Sequence, residues 1–199
     1  MTRTLPPIIG LNGPAGAGKN TLADQLTALY DYRQVAFAAP LKQIALELDP
    51  WISVPLTWTG PYPGAKVIRL SVLVDWVGWR SAKDDYPEVR QFLQALGSGV
   101  RRHADPNIWL CAGMQKADEH RRNGDPVVIT DMRYPNEHEA VRLRSGMTVR
   151  VHRPGLESSD DHESENALNR HQFDAVVQND GSLHDLAAKA AALHEEALK

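Results

Sequence analysis

The sequence predicts an α/β fold in which a parallel β-sheet of five strands is covered by helices. Short apolar segments with the character of strands alternate along the chain with segments of helical periodicity, and this alternation is typical of parallel sheets. The first strand also ends in a glycine-rich segment, "GPAGAGKNT", that leads directly into a helix. Sheets of this kind bind ligands beyond the carboxyl ends of their strands, so this segment is the first candidate for a site.

The composition indicates one soluble globular domain with a substantial core. The chain has 199 residues, of which 42% are hydrophobic and 24% are charged. The net charge of −3 argues against broad binding to a nucleic acid polymer. No apolar run is long enough to span a membrane, and "MTRTLPP" lacks the apolar stretch of a signal peptide. The single cysteine, Cys111, excludes an internal disulfide, is expected in the core, and suits a cytoplasmic protein.

The first predicted elements are a buried strand, a helix and a second strand. The apolar run "IIGLNG" ends in glycine and predicts the first strand. A helix is predicted over 19–30, where three leucines share one face, namely Leu22, Leu26 and Leu29. "RQVAFA" predicts the second strand, and Pro40 stands in the first turn of a helix over 40–48. Residues 49–66 are rich in proline and glycine and predict a loop or an inserted segment.

The rest of the chain completes the alternation of helices and strands. Four more helices are predicted from apolar periodicity, over 68–78, 87–97, 106–122 and 136–145. Three more strands follow from apolar runs, over 126–130, 147–152 and 174–178. A polar connection over 153–170 contains "DDHESE", which is more typical of a solvated loop than of a metal cluster. An amphipathic helix over 183–198 ends the chain.

The segment "GPAGAGKNT" has the G-x-x-x-x-G-K spacing of a phosphate-binding loop, with Gly13, Gly18 and Lys19 in place. Glycines let main-chain N–H groups approach phosphate oxygens, the helix N-terminus contributes its positive dipole end, and the lysine adds a full charge. We therefore predict that the loop binds a nucleoside triphosphate. The residues assigned to ATP binding here are Gly13, Ala15, Gly16, Ala17, Gly18, Lys19, Asn20 and Thr21.

The position after the loop lysine is unusual, because Asn20 stands where Ser or Thr normally holds Mg²⁺. An amide oxygen is a neutral, hard ligand, so Asn20 is expected to contact the metal directly or through water, while Thr21 bonds a phosphate oxygen. Asp131, which ends the apolar run "VVITD", is the expected metal carboxylate. The alternative for Asp131 is a helix cap or turn, because "DMRYPNE" precedes a helix.

Four further segments of the sequence indicate the protein family to which the phosphate-binding loop belongs. They follow "GKNT" in the order "VRQFLQALGS", "VVITDMRYPNEHEA", "VHRPGLESSDDHESE" and "VVQNDGSLHDL". Together with the loop they resemble the deoxynucleoside monophosphate kinases of tailed bacteriophages, in which the loop lysine is typically followed by Asp or Asn and then Thr. The resemblance runs from about residue 8 to about 195 and is weakest over 49–66.

The resemblance implies an adenylate-kinase-like, phosphate-loop three-layer sandwich within a single kinase domain. It implies a monophosphate-binding insertion over about 49–105 and a lid over about 153–170. The remaining segments, 1–48, 106–152 and 171–199, are then the core.

The resemblance also implies an activity: transfer of the γ-phosphoryl group of ATP, with Mg²⁺, to a deoxynucleoside monophosphate. The product dNDP would supply phage DNA synthesis in the host cytoplasm. The matched motifs assign catalytic roles to Lys19, Arg133 and Arg153. They assign acceptor binding to Lys42, Arg90, Gln94 and Arg133. Near the donor adenine they place Asn179, Asp180 and Gly181. Many relatives carry an acid two residues after Leu-Gly, where this chain has Gly99.

The residue types suit this chemistry, because two nucleotides bring about −6 of phosphate charge together. Phosphoryl transfer needs alignment, exclusion of water and neutralised charge, and the planar fork of arginine grips two phosphate oxygens. Each cation also has a plainer role. These are a pair with Glu88 or another surface acid for Arg90, a pair with Glu137 for Arg133, solvation for Lys42, and an exposed surface position for Arg153, with Arg150 or Arg170 as rivals for its place.

Other functions stay open on the sequence alone. One is another phosphate-loop kinase, such as a dephospho-coenzyme A kinase or a nucleoside kinase, although "FAAPLK" offers no acid to deprotonate a hydroxyl. Another is a non-catalytic nucleotide-binding regulator. Trp76 and Trp79 are expected in the core, with a wall for the acceptor base as the alternative. Apolar helix faces do not distinguish core from dimer contact, so a homodimer also stays open.

Overall fold

The computed structural model describes residues 5–156 and 167–199. These residues form two compact units. Unit 1 contains the described residues up to Phe37 and from Leu110 onward, and unit 2 contains Ala38–Trp109. The expected division into core, insertion and lid stays a prediction, and most of the expected lid over 153–170 lies outside the described residues.

Unit 1 is built on five parallel strands, which confirms the predicted α/β fold. In chain order they are β1 (Ile8–Asn12), β2 (Arg33–Val35), β5 (Val127–Ile129), β6 (Met147–His152) and β7 (Ala175–Gln178). Their order across the sheet is β2-β5-β1-β6-β7, and every neighbouring pair is parallel. The first strand of the chain is therefore central, and the loop that follows it emerges at the middle of the sheet edge.

Helices cover both faces of this sheet, as the continuous apolar runs of its strands require. They are α1 (Lys19–Tyr30), α5 (Ile108–Asn123, in unit 1 from Leu110), α6 (Pro135–Arg142) and α7 (Leu183–Ala197). Ile9 and Leu11 of β1 pack into the core with α1 and α7. Ile8 packs on the other side with residues of α5 and α6. Because alternate strand residues point to opposite faces, one five-residue strand contributes to both cores.

The helical face predicted for α1 is only partly right. Leu22 and Leu26 are fully buried, but Leu29 is 51% exposed. Ala23 is buried in place of Leu29. The buried face of the helix is therefore formed by Leu22, Ala23 and Leu26. Tyr30, the last residue of the helix, stacks on the ring of His194 in α7, with ring centroids 3.9 Å apart.

Unit 2 contains a two-stranded sheet that the sequence did not predict. Its elements are α2 (Ala39–Leu48), β3 (Trp51–Ser53), β4 (Val67–Arg69), α3 (Leu70–Asp85) and α4 (Pro87–His103). Strand β3 lies in the segment that was expected to be a loop, and it pairs antiparallel with β4. Each strand has three residues, which is too short for a periodic pattern to appear. Ile52 and Ile68 face each other and are buried, which attaches the small sheet to the core of unit 2.

Two residues expected in the core are exposed. Cys111 lies on the exposed side of α5, and Trp76 is 57% exposed on α3. The backbone of α3 leaves helical geometry at Gly78, so Trp76 and Trp79 lie on opposite sides of a kink and do not continue one face. Trp79 does pack against the core of unit 2. No helix among the described residues combines the length and the apolar character needed to cross a bilayer.

Candidate active site

The phosphate loop connects the central strand β1 to α1, as the motif requires. Gly13, Gly16 and Gly18 all have positive φ, at 145°, 81° and 101°. Helix α1 begins at Lys19, with no side-chain cap on its N-terminus and no acidic residue in its first turn. The positive end of the helix dipole is thus not neutralised by a carboxylate of the first turn, which suits an anion at this position.

Lys19 lies across the loop. Its Nζ donates to the carbonyl oxygens of Gly13 at 2.6 Å and Pro14 at 2.8 Å, and the side chain is half-buried. The cation is therefore held beside the main-chain amides of the loop. Asn20 is exposed on the first turn of α1, and Thr21 is half-buried.

Asp131 stands beside the strand that leads into the loop. Gly10 of β1 is paired with Ile129 of β5. Just beyond, the N–H of Met132 donates to Leu11 O at 3.1 Å, and Asn12 Nδ2 donates to Met132 O at 2.8 Å. The Asp131 carboxylate accepts a hydrogen bond from the N–H of Phe37 at 2.7 Å, which joins the ends of β5 and β2.

A role for Asp131 as a helix cap does not fit the structure. Helix α6 begins at Pro135 with Tyr134 in the capping position. The segment between β5 and α6 is held by Glu137, which is buried. Its Oε2 accepts hydrogen bonds from the N–H groups of Arg133 at 2.7 Å and Tyr134 at 3.0 Å. The sequence suggested Glu137 only as an ion-pair partner of Arg133, and its contacts with the main chain depend on the fold of this turn.

The ends of β6 and β7 approach the loop from the other side. The N–H of Asn179 donates to His152 O at 2.6 Å, and its side-chain Nδ2 donates to Ala17 O at 2.8 Å. Asp180 is exposed, and the hydrogen bond from Lys189 at 2.9 Å holds the pKa of this carboxyl below its ordinary value. Gly181 precedes Ser182, which caps α7 by accepting a hydrogen bond from the N–H of Asp185. Of the three residues matched to the donor adenine, Asn179 contacts the phosphate loop.

Arg150, which the sequence indicated only as an alternative to Arg153, contacts the last residue of β1. Its Nη1 donates to Asn12 Oδ1 at 3.0 Å, and its Nη2 donates to Asn169 Oδ1 at 2.9 Å. The guanidinium carbon lies 5.7 Å from the ring centroid of Phe173, and burial lowers the pKa of Arg150. Arg153 and Arg170 are both exposed. A polar residue at the end of a buried strand, as in "GLNG", was the available signal for Asn12.

Unit 2 carries the residues expected to bind the acceptor. Arg90 and Gln94 are one turn apart on α4, so they share a face. Arg90 Nη2 pairs with Asp84 Oδ1 at 3.3 Å, whereas Glu88 accepts a hydrogen bond from the N–H of Ser53 at 2.8 Å. Arg90 thus forms the ion pair with a surface acid that the sequence offered as its alternative role, and the acid is Asp84. Lys42 Nζ lies 5.8 Å from the ring centroid of Trp79, within the range of a cation–π contact.

Residues 77–190 match a family model described as deoxynucleotide monophosphate kinase. The chain is 32% identical over 108 residues to the deoxynucleotide monophosphate kinase of Enterobacteria phage T4, covering 53% of this chain and 45% of that protein. It is 33% identical over 108 residues to the protein of the same name from Escherichia phage RB69, covering 53% and 44%. The chain thus spans less than half the length of these two phage proteins.

A longer match joins the chain to a putative deoxynucleotide monophosphate kinase of Acanthamoeba polyphaga mimivirus. The two are 27% identical over 191 residues, covering 89% of this chain and 91% of that protein. Among solved structures, the dephospho-CoA kinase from Campylobacter jejuni superposes with a TM-score of 0.50 at 12% identity, covering 96% of each chain. This last likeness shows the fold.

Proposed function

The chain belongs to the deoxynucleotide monophosphate kinase family, whose model matches more than half of it, and on this premise we propose that it is a deoxynucleoside monophosphate kinase. It transfers the γ-phosphoryl group of ATP to a deoxynucleoside 5′-monophosphate, and the products are ADP and a deoxynucleoside diphosphate. The donor binds at the phosphate loop of unit 1. The residues assigned to the acceptor lie mainly in unit 2. The diphosphate is a precursor for DNA synthesis, which in a phage infection takes place in the host cytoplasm.

The geometry of the phosphate loop carries this proposal. The loop over residues 13–21 lies outside the matched region 77–190, so it supports the function independently of the family match. Three features of the loop suit a chain of phosphates. Its glycines have positive φ, the first turn of α1 contains no acidic residue, and Lys19 is held against the loop.

The residues near the loop also fit a magnesium ion. Asp131 offers a carboxylate and Asn20 an amide oxygen, and both are the hard ligands that Mg²⁺ prefers. Among the described residues, no three His, Cys, Asp or Glu side chains form a metal cluster. Bound with the nucleotide, Mg²⁺ would neutralise charge on the phosphates. Asp131 is oriented for this role by the N–H of Phe37.

The chain's own cations do the remaining work in this proposal. Lys19 and Arg133 neutralise charge on the transferred phosphoryl group, and Arg153 completes this set from the entrance of the expected lid. Lys42, Arg90 and Gln94 bind the acceptor, with Arg90 gripping its phosphate in a bidentate manner. No general base is needed, because the acceptor phosphate is already ionised at neutral pH. Catalysis therefore rests on alignment and electrostatic stabilisation.

The test is a turnover assay. The protein is incubated with ATP and Mg²⁺ and, separately, with dTMP, dGMP, dCMP or dAMP, and ADP is measured. We expect ADP formation that depends on at least one of the four monophosphates. ATP binding without ADP above background for any of them would contradict the proposal and would favour a nucleotide-binding regulator. The experiment also gives the base preference, which the sequence does not determine.

A further inference from the structure

We propose that Asn179 is a positioning residue of the phosphate loop, which holds the peptide between Ala17 and Gly18 in the orientation that receives the phosphates of the donor. The resemblance to phage kinases placed this asparagine near the donor adenine. The inference rests on the proposed role of the loop in nucleotide binding and names a further residue on which that binding depends.

The side chain of Asn179 contacts the main chain of the loop. Its Nδ2 donates to Ala17 O at 2.8 Å. In a trans peptide the N–H points opposite to the C=O, so holding the Ala17 carbonyl also sets the direction of the Gly18 N–H. That amide belongs to the group of donors at the start of α1 that have no partner within the helix. Asn179 thus directs a main-chain amide of the kind that phosphate-binding loops use.

Asn179 also explains why position 18 is glycine. Gly18 has φ 101° and ψ 13°, which residues with a Cβ rarely adopt. A Cβ placed on Gly18 would overlap the Nδ2 of Asn179, whereas the Cβ of Asn179 would be 4.0 Å away. The space in which a side chain at position 18 would lie is therefore filled by the carboxamide of Asn179. Residues 18 and 179 are complementary, although 161 positions separate them in the chain.

Both sequence neighbours of Asn179 are held by hydrogen bonds, which restricts the movement of Asn179 itself. Lys189 of α7 donates to Gln178 O and pairs with Asp180 Oδ1. The N–H of Asn179 itself is bonded to His152 O at 2.6 Å. A side chain that positions another group must itself be held in place, and these contacts hold it from β6 and α7.

The experiment compares a ligand that carries a nucleobase, ATP, with one that carries none, inorganic tripolyphosphate. Binding of ATP and of inorganic tripolyphosphate, each with Mg²⁺, is measured by calorimetry on the wild type and the Asn179→Ala and Gln178→Ala variants. We expect Asn179→Ala to weaken both ligands by the same factor, about three- to tenfold, which corresponds to one hydrogen bond. Gln178→Ala is the matched control, because it removes only the adjacent exposed contact with His152 and keeps its main chain. It should bind both ligands within about twofold of the wild type.

Two outcomes would overturn the inference. If ATP binding falls and tripolyphosphate binding does not, Asn179 contacts the base. If neither changes, the hydrogen bond to Ala17 does not matter for binding. Asn179→Asp is measured in parallel, because it keeps the shape of the side chain, removes the donor and adds a negative charge beside the loop, so it should weaken both ligands more than Asn179→Ala does.

Paired substitutions test the same contact without any ligand. Gly18→Ala should lower the Tm less in the Asn179→Ala protein than in the wild type, because the overlap with Nδ2 is gone and only the backbone strain is left. Equal decreases in Tm would contradict the proposed fit of residues 18 and 179.

These measurements separate the inference from the proposed function. They use no acceptor and no turnover. Absence of ADP formation with all four monophosphates, together with the expected loss of ATP and tripolyphosphate binding, would refute the kinase and leave the role of Asn179 standing. ADP formation by the wild type, together with unchanged ligand binding in Asn179→Ala, would support the kinase and refute the role of Asn179.

Discussion

Polar side chains that are buried or half-buried shape the turns around the candidate site. Asn12 joins β1 to Met132, Glu137 holds the turn before α6, and Asn179 holds the phosphate loop. Among the described residues, no buried side-chain nitrogen or oxygen lacks a hydrogen-bond partner. A buried polar group without a partner is costly, so replacing any of these residues is expected to disturb the main-chain groups that they satisfy.

His138 of α6 is a buried histidine whose protonation opposes folding. Burial lowers its pKa from the ordinary value of 6.5. His171 and Arg142 lower it further, whereas the hydrogen bond to Gln172 O and the charge of Asp174 oppose the shift. The unfolded chain therefore binds more protons than the folded protein between the lowered pKa and about 6.5. Stability contributed by the neutral ring is complete above 6.5 and falls as the pH drops through this window.

We expect the free energy of unfolding to fall when the pH is lowered from 7.5 to 5.5, and His138→Gln to reduce this fall by up to about 1 kcal/mol. Urea denaturation at three pH values measures it. His184→Gln, at an exposed position at the start of α7, is the control and should follow the wild type. The same pH dependence in His138→Gln and the wild type would show that another group is responsible.

At the scale of elements, the helices of unit 2 use glycine in opposite ways. Gly78 interrupts α3 with φ 76° and ψ 161°, a conformation available almost only to glycine. Gly99 lies inside α4, where the backbone is helical. A Cβ added at either position would meet no atom within 4 Å, so sterics with neighbours do not distinguish the two. The backbone conformation does.

We expect Gly78→Ala to destabilise the protein by about 1–3 kcal/mol, because alanine is strained at this φ and ψ. Gly99→Ala should stabilise it by about 0.5–1 kcal/mol, because alanine loses less backbone entropy in a helix. Urea denaturation of the two variants measures both changes. Gly97→Ala is an informative third variant, since its Cβ would lie 3.2 Å from Leu41 Cδ2 and requires that side chain to move. Shifts of the same sign for positions 78 and 99 would contradict this explanation.

At the scale of the whole molecule, the proposed function divides the labour between the two units. The phosphate loop belongs to unit 1, and Arg90 belongs to unit 2. On this assignment, substitutions in the two units affect different substrates. Arg80 offers a close control, because it is 95% exposed on its side chain and lies near the same Asp84 that pairs with Arg90.

We expect Lys19→Ala to abolish turnover and weaken ATP binding, because it removes the charge that we propose contacts the phosphates. Arg90→Ala should raise the KM for the monophosphate by about 10- to 100-fold, the loss expected for charged hydrogen bonds, with the Kd for ATP unchanged. Steady-state kinetics and ATP titration measure these effects, and Arg80→Ala should resemble the wild type. Small and equal effects of Lys19→Ala and Arg90→Ala would contradict the division.

The sequence alone was enough for the sheet and for the start of the site. Strand β1 is a continuous apolar run because both its faces are covered, and α1 begins where the loop motif ends. Such signals are local, since a few neighbouring residues carry them. The three-residue strands β3 and β4 carry no such signal, and their pairing depends on the core of unit 2, in which both Ile52 and Ile68 are buried. The exposure of Leu29 and Cys111 was likewise decided by which neighbours pack against each helix.

By itself the sequence determined the α/β class, the family resemblance and the position of the phosphate loop, because residue types at fixed short spacings specify all three. Only the tertiary structure decided that Asn179 contacts Ala17, that Arg150 contacts Asn12 and that Arg90 pairs with Asp84. The first two contacts join residues more than 130 positions apart, and the third depends on the turn between α3 and α4. Folding brings such groups together, and no short pattern in the chain records it.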